Sequence, residues 1–394
     1  MPTDPPRLLR LTTVPLSLRM LLTGQPRYMA THGMFRVLMG SADGPERVLV
    51  VAAEGCPHEV IPFTRAITPL QDLRCLAALV SLMRRERPHI VHTHTPKAGL
   101  LGMLAARIAG VPVRIHTIAG LPYMTARGRR RQLLRRVEQL TYWGAQHVWP
   151  NSPSMLDFVR AERLCAPHKL DMVAGGSTNG IDLEEFSAAA VSEQRRAAAR
   201  ESIRHEAGRV YLTAIGRVVR DKGIPELIDV FVELQAARPE LCLLLIGPLE
   251  EERSEETLAT STVETIRTHS AIRHVSWTDD VPAFLAISDL LVFPSHREGF
   301  PNVPLQAGAM ECPIVCSAIP GNVDIVEDGV TGRLFAVGQR TALTAALRAA
   351  LEAPEGNREM ATALRRKIED RFDRRVIHAE LLRRYQALLQ RRGR

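Results

Sequence analysis

Short apolar runs of three to seven residues, each followed by a loop and then a stretch able to form a helix, recur through both halves of this 394-residue chain. In the first half they are residues 8–14, 48–53, 89–92, 113–118, 147–151 and 171–173; in the second, 210–215, 241–246, 275–278, 290–293, 314–317 and 332–335. Runs this short and this apolar fit strands of parallel sheets covered on both faces, with room between them for crossover helices. Residues 72–85, for example, carry apolar side chains at the i, i+3, i+4, i+7 spacing of one helix face. The alternation predicts an α/β chain of two Rossmann-like domains with a cleft between them, and the length allows about 180 residues for each.

The composition is that of an ordered protein, with 45% hydrophobic and 24% charged residues. Lys and Arg number 51 against 43 Asp and Glu, a net charge of +8. Such an excess suits an anionic partner, a nucleotide diphosphate, a lipid pyrophosphate, a membrane face or a nucleic acid; arginine-rich composition with no partner is the competing reading. Aromatic residues are 5% of the chain, with no basic–aromatic interleaving, which argues against single-stranded nucleic acid. No G-x-G-x-x-G follows the first strand, so a dinucleotide oxidoreductase is not expected. Six scattered cysteines read as reduced thiols of a cytoplasmic protein, and Cys312 and Cys316 lack the company of a zinc site. There is no apolar leader at the N-terminus and no apolar run of eighteen residues, so neither secretion by a signal peptide nor a membrane span is expected.

The chemistry concentrates in the second half. After the run 290–293 comes Glu298-Gly299-Phe300-Pro301-Asn302, and a helix is expected from Val303 because Pro304 suits a first turn. A strand, a glycine-bearing loop and a helix N-terminus form the place where α/β sheets hold anions and hydroxyls, and Glu298 adds a carboxylate acceptor. After the strand 210–215 the sequence reads GRVVRDKGIP: Gly216 opens a turn, Gly223 closes it and Pro225 starts a helix. Arg217 and Lys222 share that loop, where two cations and helix N–H groups can hold a diphosphate. Residues 249–260 are acidic and expected to be loop.

These motifs resemble the family 4 glycosyltransferases, retaining enzymes of the two-domain GT-B fold, and especially the bacterial capsular and exopolysaccharide subgroup. The resemblance rests on G-R-(x)4-K-G at 216–223, the EGFPN loop at 298–302, HTHTPKAGLLG at 92–102, the GLP at 120–122 and NGID at 179–182. It implies an N-terminal acceptor-binding domain (1–185), a C-terminal nucleotide-sugar domain (186–372) and a last helix (373–394) crossing back to the first. Arg217, Lys222 and Glu298 match the family's catalytic positions, and Gly216, Gly299, Phe300, Pro301, Asn302, Gln306 and Thr278 its donor-binding ones. Ser17, His94, Lys97, Ala119 and Gly120 match the acceptor or cleft side.

The chain departs from the family at two places. The second of two glutamates normally facing the donor is Gln306, which keeps a hydrogen bond to ribose but loses the charge. The histidine usually preceding the glycine of GLP is Ala119, which removes a polar group near the transferred sugar. His92, His94 and His116 have no carboxylate or cysteine beside them, so a metal is not expected and no cofactor is implied. Six arginines, Arg127, Arg129, Arg130, Arg131, Arg135 and Arg136, begin a helix running to about Gly144, with Leu133, Leu134, Val137 and Leu140 on its apolar side. They are either a solvated face or a docking surface for an anionic membrane or polyprenyl diphosphate.

The expected function is retaining transfer of a sugar, UDP-linked by preference, to a glycan or polyprenyl-diphosphate-linked acceptor. A weakly active or non-catalytic relative that binds nucleotide-sugar or a partner enzyme is the alternative, on the strength of Ala119 and Gln306. A nucleotide-sugar epimerase of the same fold fits the motifs less well. The expected site of action is the cytoplasm, at the inner membrane face if the arginine helix docks there.

Overall fold

The computed structural model describes residues 4–64, 66, 68–250 and 256–391. The chain forms two compact units, one from Met1–Gly180 with Arg374–Arg394 and one from Ile181–Asp373. The sequence reading had divided the chain at 185/186 and 372/373.

In the first unit the elements are β1 (Arg7–Leu11), α1 (Pro15–Leu21), α2 (Gln25–Thr31), β2 (Arg36–Ser41), α3 (Glu46–Glu54), β3 (His58–Val60), α4 (Pro69–Glu86), β4 (Ile90–Thr93), α5 (Pro96–Ile108), β5 (Val113–Ile118), α6 (Gly128–Gly144), β6 (His147–Pro150) and α7 (Pro153–Ala161). The second unit runs through α8 (Glu193–Ser202), β7 (Val210–Ile215), α9 (Ile224–Ala237), β8 (Leu241–Ile246), α10 (Thr260–Thr268), β9 (Ile272–Val275), α11 (Val281–Leu285), β10 (Leu290–Phe293), α12 (Asn302–Ala309), β11 (Ile314–Ser317), α13 (Asn322–Ile325), β12 (Arg333–Phe335), α14 (Arg340–Glu352) and α15 (Pro354–Arg371). The final helix, α16 (Arg374–Gln390), belongs to the first unit.

Among the described residues each unit holds one six-stranded parallel sheet, in the orders β3-β2-β1-β4-β5-β6 and β12-β11-β10-β7-β8-β9. Counted within its own unit, each order is 3-2-1-4-5-6, the doubly wound arrangement. Strand order reverses between β1 and β4 and between β7 and β10, and outside the carboxyl ends of such pairs is where doubly wound sheets hold ligands. The second sheet buries Leu212, Leu243, Leu244, Leu291 and Val315 completely, as expected of strands covered on both faces. In the first unit α16 packs on α2 and sinks Leu381 and Tyr385 among Leu8, Val37 and Trp149.

Three readings of the first half are corrected. Residues 48–53 are not a strand but the middle of α3, which starts beside Pro45 and ends at Gly55 in the left-handed region, φ 63°. The second strand is instead β2, and 171–173, read as a strand, is none: a bridge joins only the preceding Leu170 to Val148. Pro15, Ser17 and Gly24, expected from their residue types to break up a helix start, do otherwise: Pro15 and Ser17 lie in the first turn of α1, where a proline fits, and Gly24 caps α2. Part of the acidic segment, 251–255, lies outside the described residues.

Candidate active site

Both loops of the second switch point are built on close backbone approach. Gly223, φ 68°, caps α9, and a Cβ there would fall 2.1 Å from the carbonyl oxygen of Pro294. Only glycine lets the turn after β7 touch the loop after β10. The contact is sealed by His296 N–H donating to the Asp221 carbonyl at 2.9 Å. Gly321, φ 88°, performs the same service for the next strand, because a Cβ there would lie 2.3 Å from the Gly299 oxygen.

Lys222 and Glu298 meet at this junction: the Lys222 ammonium donates to Glu298 Oε1, and it lies 5.8 Å from the Phe293 ring centroid. Arg217 turns elsewhere, toward the acidic segment, donating from Nη1 to Glu256 Oε2 at 2.6 Å and to Glu250 Oε2 at 3.1 Å. Burial opposes its charge, yet the two carboxylates prevail and its pKa rises. Both candidate cations are therefore already occupied by carboxylates of the chain.

The other candidate donor residues have mixed placements. Pro301 precedes α12, Asn302 begins it and half-buried Gln306 lies one turn further on. Phe300 is buried, its ring 5.1 Å from that of Phe372, so its side chain serves the core. Gly216, φ 141°, ends β7. Thr278 Oγ1 accepts from the Asp280 N–H at 2.9 Å, and Asp280 caps α11 through the Ala283 N–H while accepting from Arg195 Nε at 2.9 Å. Arg195 was missed in the sequence, where an arginine in a charged helix carries no signal.

In the first unit the switch point between β1 and β4 holds a buried polar network. Arg10, with no exposed surface, donates to Tyr385 Oη at 3.0 Å and to Gln25 Oε1 at 2.5 Å, and its Nη2 lies 2.9 Å from His94 Nε2. His92 bonds Tyr385 and Thr117, and His116 bonds Thr93 at 2.8 Å. Burial drives the pKa of His92 and His94 well down and that of His116 to about 4, so all three rings are neutral at pH 7. Asn179 of the NGID loop joins the same network, accepting from Gln25 and bonding His378 at 2.8 Å. A charged residue inside the apolar run LLRLTTV was the available sign of Arg10.

Of the remaining candidates, Lys97 is held by Asp72 at 2.6 Å and by Thr64. Ser17 is half-buried in the first turn of α1, while Ala119 and Gly120 follow β5 half-exposed, with open space where a Gly120 Cβ would sit. The arginine helix is split: Arg131 and Arg135 bind Glu162 at 2.8 and 3.2 Å, whereas Arg127, Arg129, Arg130 and Arg136 are exposed. Leu133 and Leu140, expected on the apolar side of α6, are exposed too, and so is Trp143, under the Arg107 guanidinium. The inward face uses Glu138, Thr141 and Tyr142 instead.

Comparison with known proteins adds the following. The family described as Glycosyl transferases group 1 matches residues 195–367, and the Glycosyl transferase 4-like domain matches residues 17–176. The capsular polysaccharide biosynthesis glycosyltransferase CapM of Staphylococcus aureus is 30% identical over 384 residues, covering 98% of both chains. The UDP-Gal:alpha-D-GlcNAc-diphosphoundecaprenol alpha-1,3-galactosyltransferase of Escherichia coli is 27% identical over 286 residues, 69% of this chain and 68% of that protein. Among solved structures, Anabaena HepE in complex with UDP and glucose superposes with a TM-score of 0.79 at 19% identity, covering 97% of this chain and 99% of that one.

Proposed function

The chain belongs to the family 4 glycosyltransferases of the GT-B fold, and from that premise we propose that it moves a sugar, with retention of configuration, from a UDP-sugar to a glycan or polyprenyl-diphosphate-linked acceptor of a cell-surface polysaccharide. The observation that carries this reading is the meeting of Lys222 and Glu298 across the switch point of the second sheet. A cation for a diphosphate and an acceptor for sugar hydroxyls stand side by side where a doubly wound sheet binds ligands. The choice of UDP and of a lipid-linked acceptor is supported by the donor and acceptor named for the E. coli relative and by the UDP and glucose named for HepE.

In this reading Lys222 and Arg217 neutralise the charge that grows on the departing UDP, each leaving its carboxylate partner to do so. Stabilisation of developing charge by fixed cations is commonly the largest catalytic contribution. Glu298 holds sugar hydroxyls, Gln306 the ribose, and the N–H groups at the start of α12 face the phosphates. The loop at Thr278, pinned by Asp280 and Arg195, lies beside the base. Because two side chains supply the countercharge, transfer needs no metal and continues in EDTA. The acceptor side is assigned to the first unit, with Ser17, Ala119 and Gly120 as its accessible candidates.

The same reading places the enzyme on the inner face of the plasma membrane. No helix among the described residues is long and apolar enough to cross a bilayer. Exposed Arg129, Arg130 and Arg136, with Leu133, Leu140 and Trp143, offer cations and apolar side chains together on α6, with Arg127 just before it, as surface-bound helices do. The second reading, a weakly active or non-catalytic relative, rests on Ala119 and Gln306. A thermal-shift panel of UDP-, GDP- and ADP-sugars tests the donor: a ligand bound only by the folded state raises its melting temperature. UDP-sugars are expected to do so, and silence from all three classes would refute donor binding.

A further inference from the structure

Three consecutive residues after β10 each face an acidic or basic partner on the connection from β7 to α9 or in the first turn of α9. His296 Nε2 lies 2.9 Å from Glu226 Oε1, and Arg297 Nη2 lies 2.8 Å from Asp221 Oδ2. Glu298 receives Lys222. The backbone follows the same line, with His296 N–H and Ser295 Oγ both donating to the Asp221 carbonyl.

The three pairs cannot do the same job. Under the proposed reading Lys222 goes to a phosphate and Glu298 to a sugar hydroxyl, so their pair must open each time a donor binds. An ion pair that is exchanged in every cycle cannot keep two loops in register. The flanking pairs use groups with no donor role, and Arg297, 22% exposed in its side chain, is the most enclosed of the four residues in them.

We infer that Arg297 and His296 are positioning residues, whose pairs with Asp221 and Glu226 clamp the loop after β10 to the β7–α9 turn and the start of α9 while Lys222 and Glu298 exchange partners. The inference rests on the assignment of Lys222 and Glu298 to the donor. His296 is well suited to the task, since its hydrogen bond to Glu226 raises its pKa. The charges facing it are Glu226, Asp221 and Arg220, two carboxylates against one guanidinium.

The test compares Arg297→Ala, Arg297→Lys, Lys222→Ala and Glu298→Gln in the full-length enzyme, measuring donor KM, kcat and UDP affinity. Arg297→Ala is expected to raise donor KM about 5–10-fold with a smaller change in kcat, and lysine to restore most of it, as exchange of one partly enclosed ion pair would. With the arginine clamp gone His296 is the remaining one, so the KM of Arg297→Ala should climb more steeply than that of the wild type from about pH 6 to 8, as the imidazolium loses its proton. Wild-type kinetics in Arg297→Ala beside impaired Lys222→Ala and Glu298→Gln would overturn the inference alone. Wild-type donor binding in Lys222→Ala and Glu298→Gln would remove the assignment beneath it. A loss in Arg297→Ala that comes with a lowered unfolding midpoint, or that lysine does not relieve, also overturns it, since it then reports folding or the arginine itself and not the clamp.

Discussion

Tyr385 and Arg10 stand 375 positions apart in the chain, and their side chains are joined by a 3.0 Å hydrogen bond in the interior of the first unit. The Tyr385 hydroxyl is shared with His92, so one atom of α16 ties the last helix to both strands of the first switch point. Tyr385→Phe leaves Arg10 and His92 each short of a buried partner. Loss of stability by about 1–3 kcal/mol is expected from denaturant unfolding, with UDP affinity unchanged because the second unit is untouched.

Glu138 supplies a pH-dependent prediction. Burial raises its pKa to about 7, only partly offset by the nearby Tyr142 hydroxyl, which lowers it. The folded state therefore holds this proton more tightly than the unfolded chain. The associated stability is fully present below the unfolded value, near 4.5, and lost as pH rises through about 7. Glu138→Gln mimics the protonated form. It should leave the melting temperature of the first unit nearly unchanged at pH 4 and raise it by several degrees at pH 8, at about 1.4 kcal/mol per unit of pKa difference. Equal effects at both pH values would refute the assignment.

The two family departures can be restored together. Ala119→His with Gln306→Glu returns the usual groups, and the glutamate adds a charge-assisted bond to ribose. If the chain is a weakened relative, transfer rises more than about tenfold, the worth of one such bond. If it is an active variant in its own right, the change stays within a few-fold. Initial rates with UDP-sugar and acceptor distinguish the two.

Membrane docking through α6 is testable without turnover. Vesicles of phosphatidylglycerol should carry the protein upward on flotation, and phosphatidylcholine vesicles should not. Arg129→Glu with Arg130→Glu should abolish the difference, since each cation near an anionic surface contributes about 1 kcal/mol. Equal flotation on both lipids would rule out the arginine surface.

The second unit was more legible in sequence than the first, for a physical reason. Its central strands are the most apolar, and Leu241–Ile246 was bounded to the residue because LCLLLI is buried at every position, whereas β9, IRHV, carries two polar residues and was misplaced to 275–278 when it spans Ile272–Val275. Glycine and proline mark its turns, and Gly223 and Pro225 fall where the close approach and the first turn of α9 require them. In the first unit the run VLVVAA has strand composition, yet Pro45 and Gly55 make it a helix with Val48 and Leu49 exposed. Strand β2, RVLMGS, was passed over because it mixes polar and small residues. At the site, the meeting of Lys222 with Glu298 follows from topology, which places their loops side by side. The pairing of Arg217 with Glu250 and Glu256, and the Arg10 network closed by α16, depend on contacts over distances that motif spacing does not encode.

The most direct measurement is the affinity for UDP by titration calorimetry, for the wild type, Lys222→Ala and Arg217→Ala. Each substitution removes one charge-assisted contact to a phosphate and is expected to weaken UDP about 10–100-fold, with the fold intact by circular dichroism. Unchanged affinity in both variants would contradict the claim that these two side chains grip the leaving diphosphate.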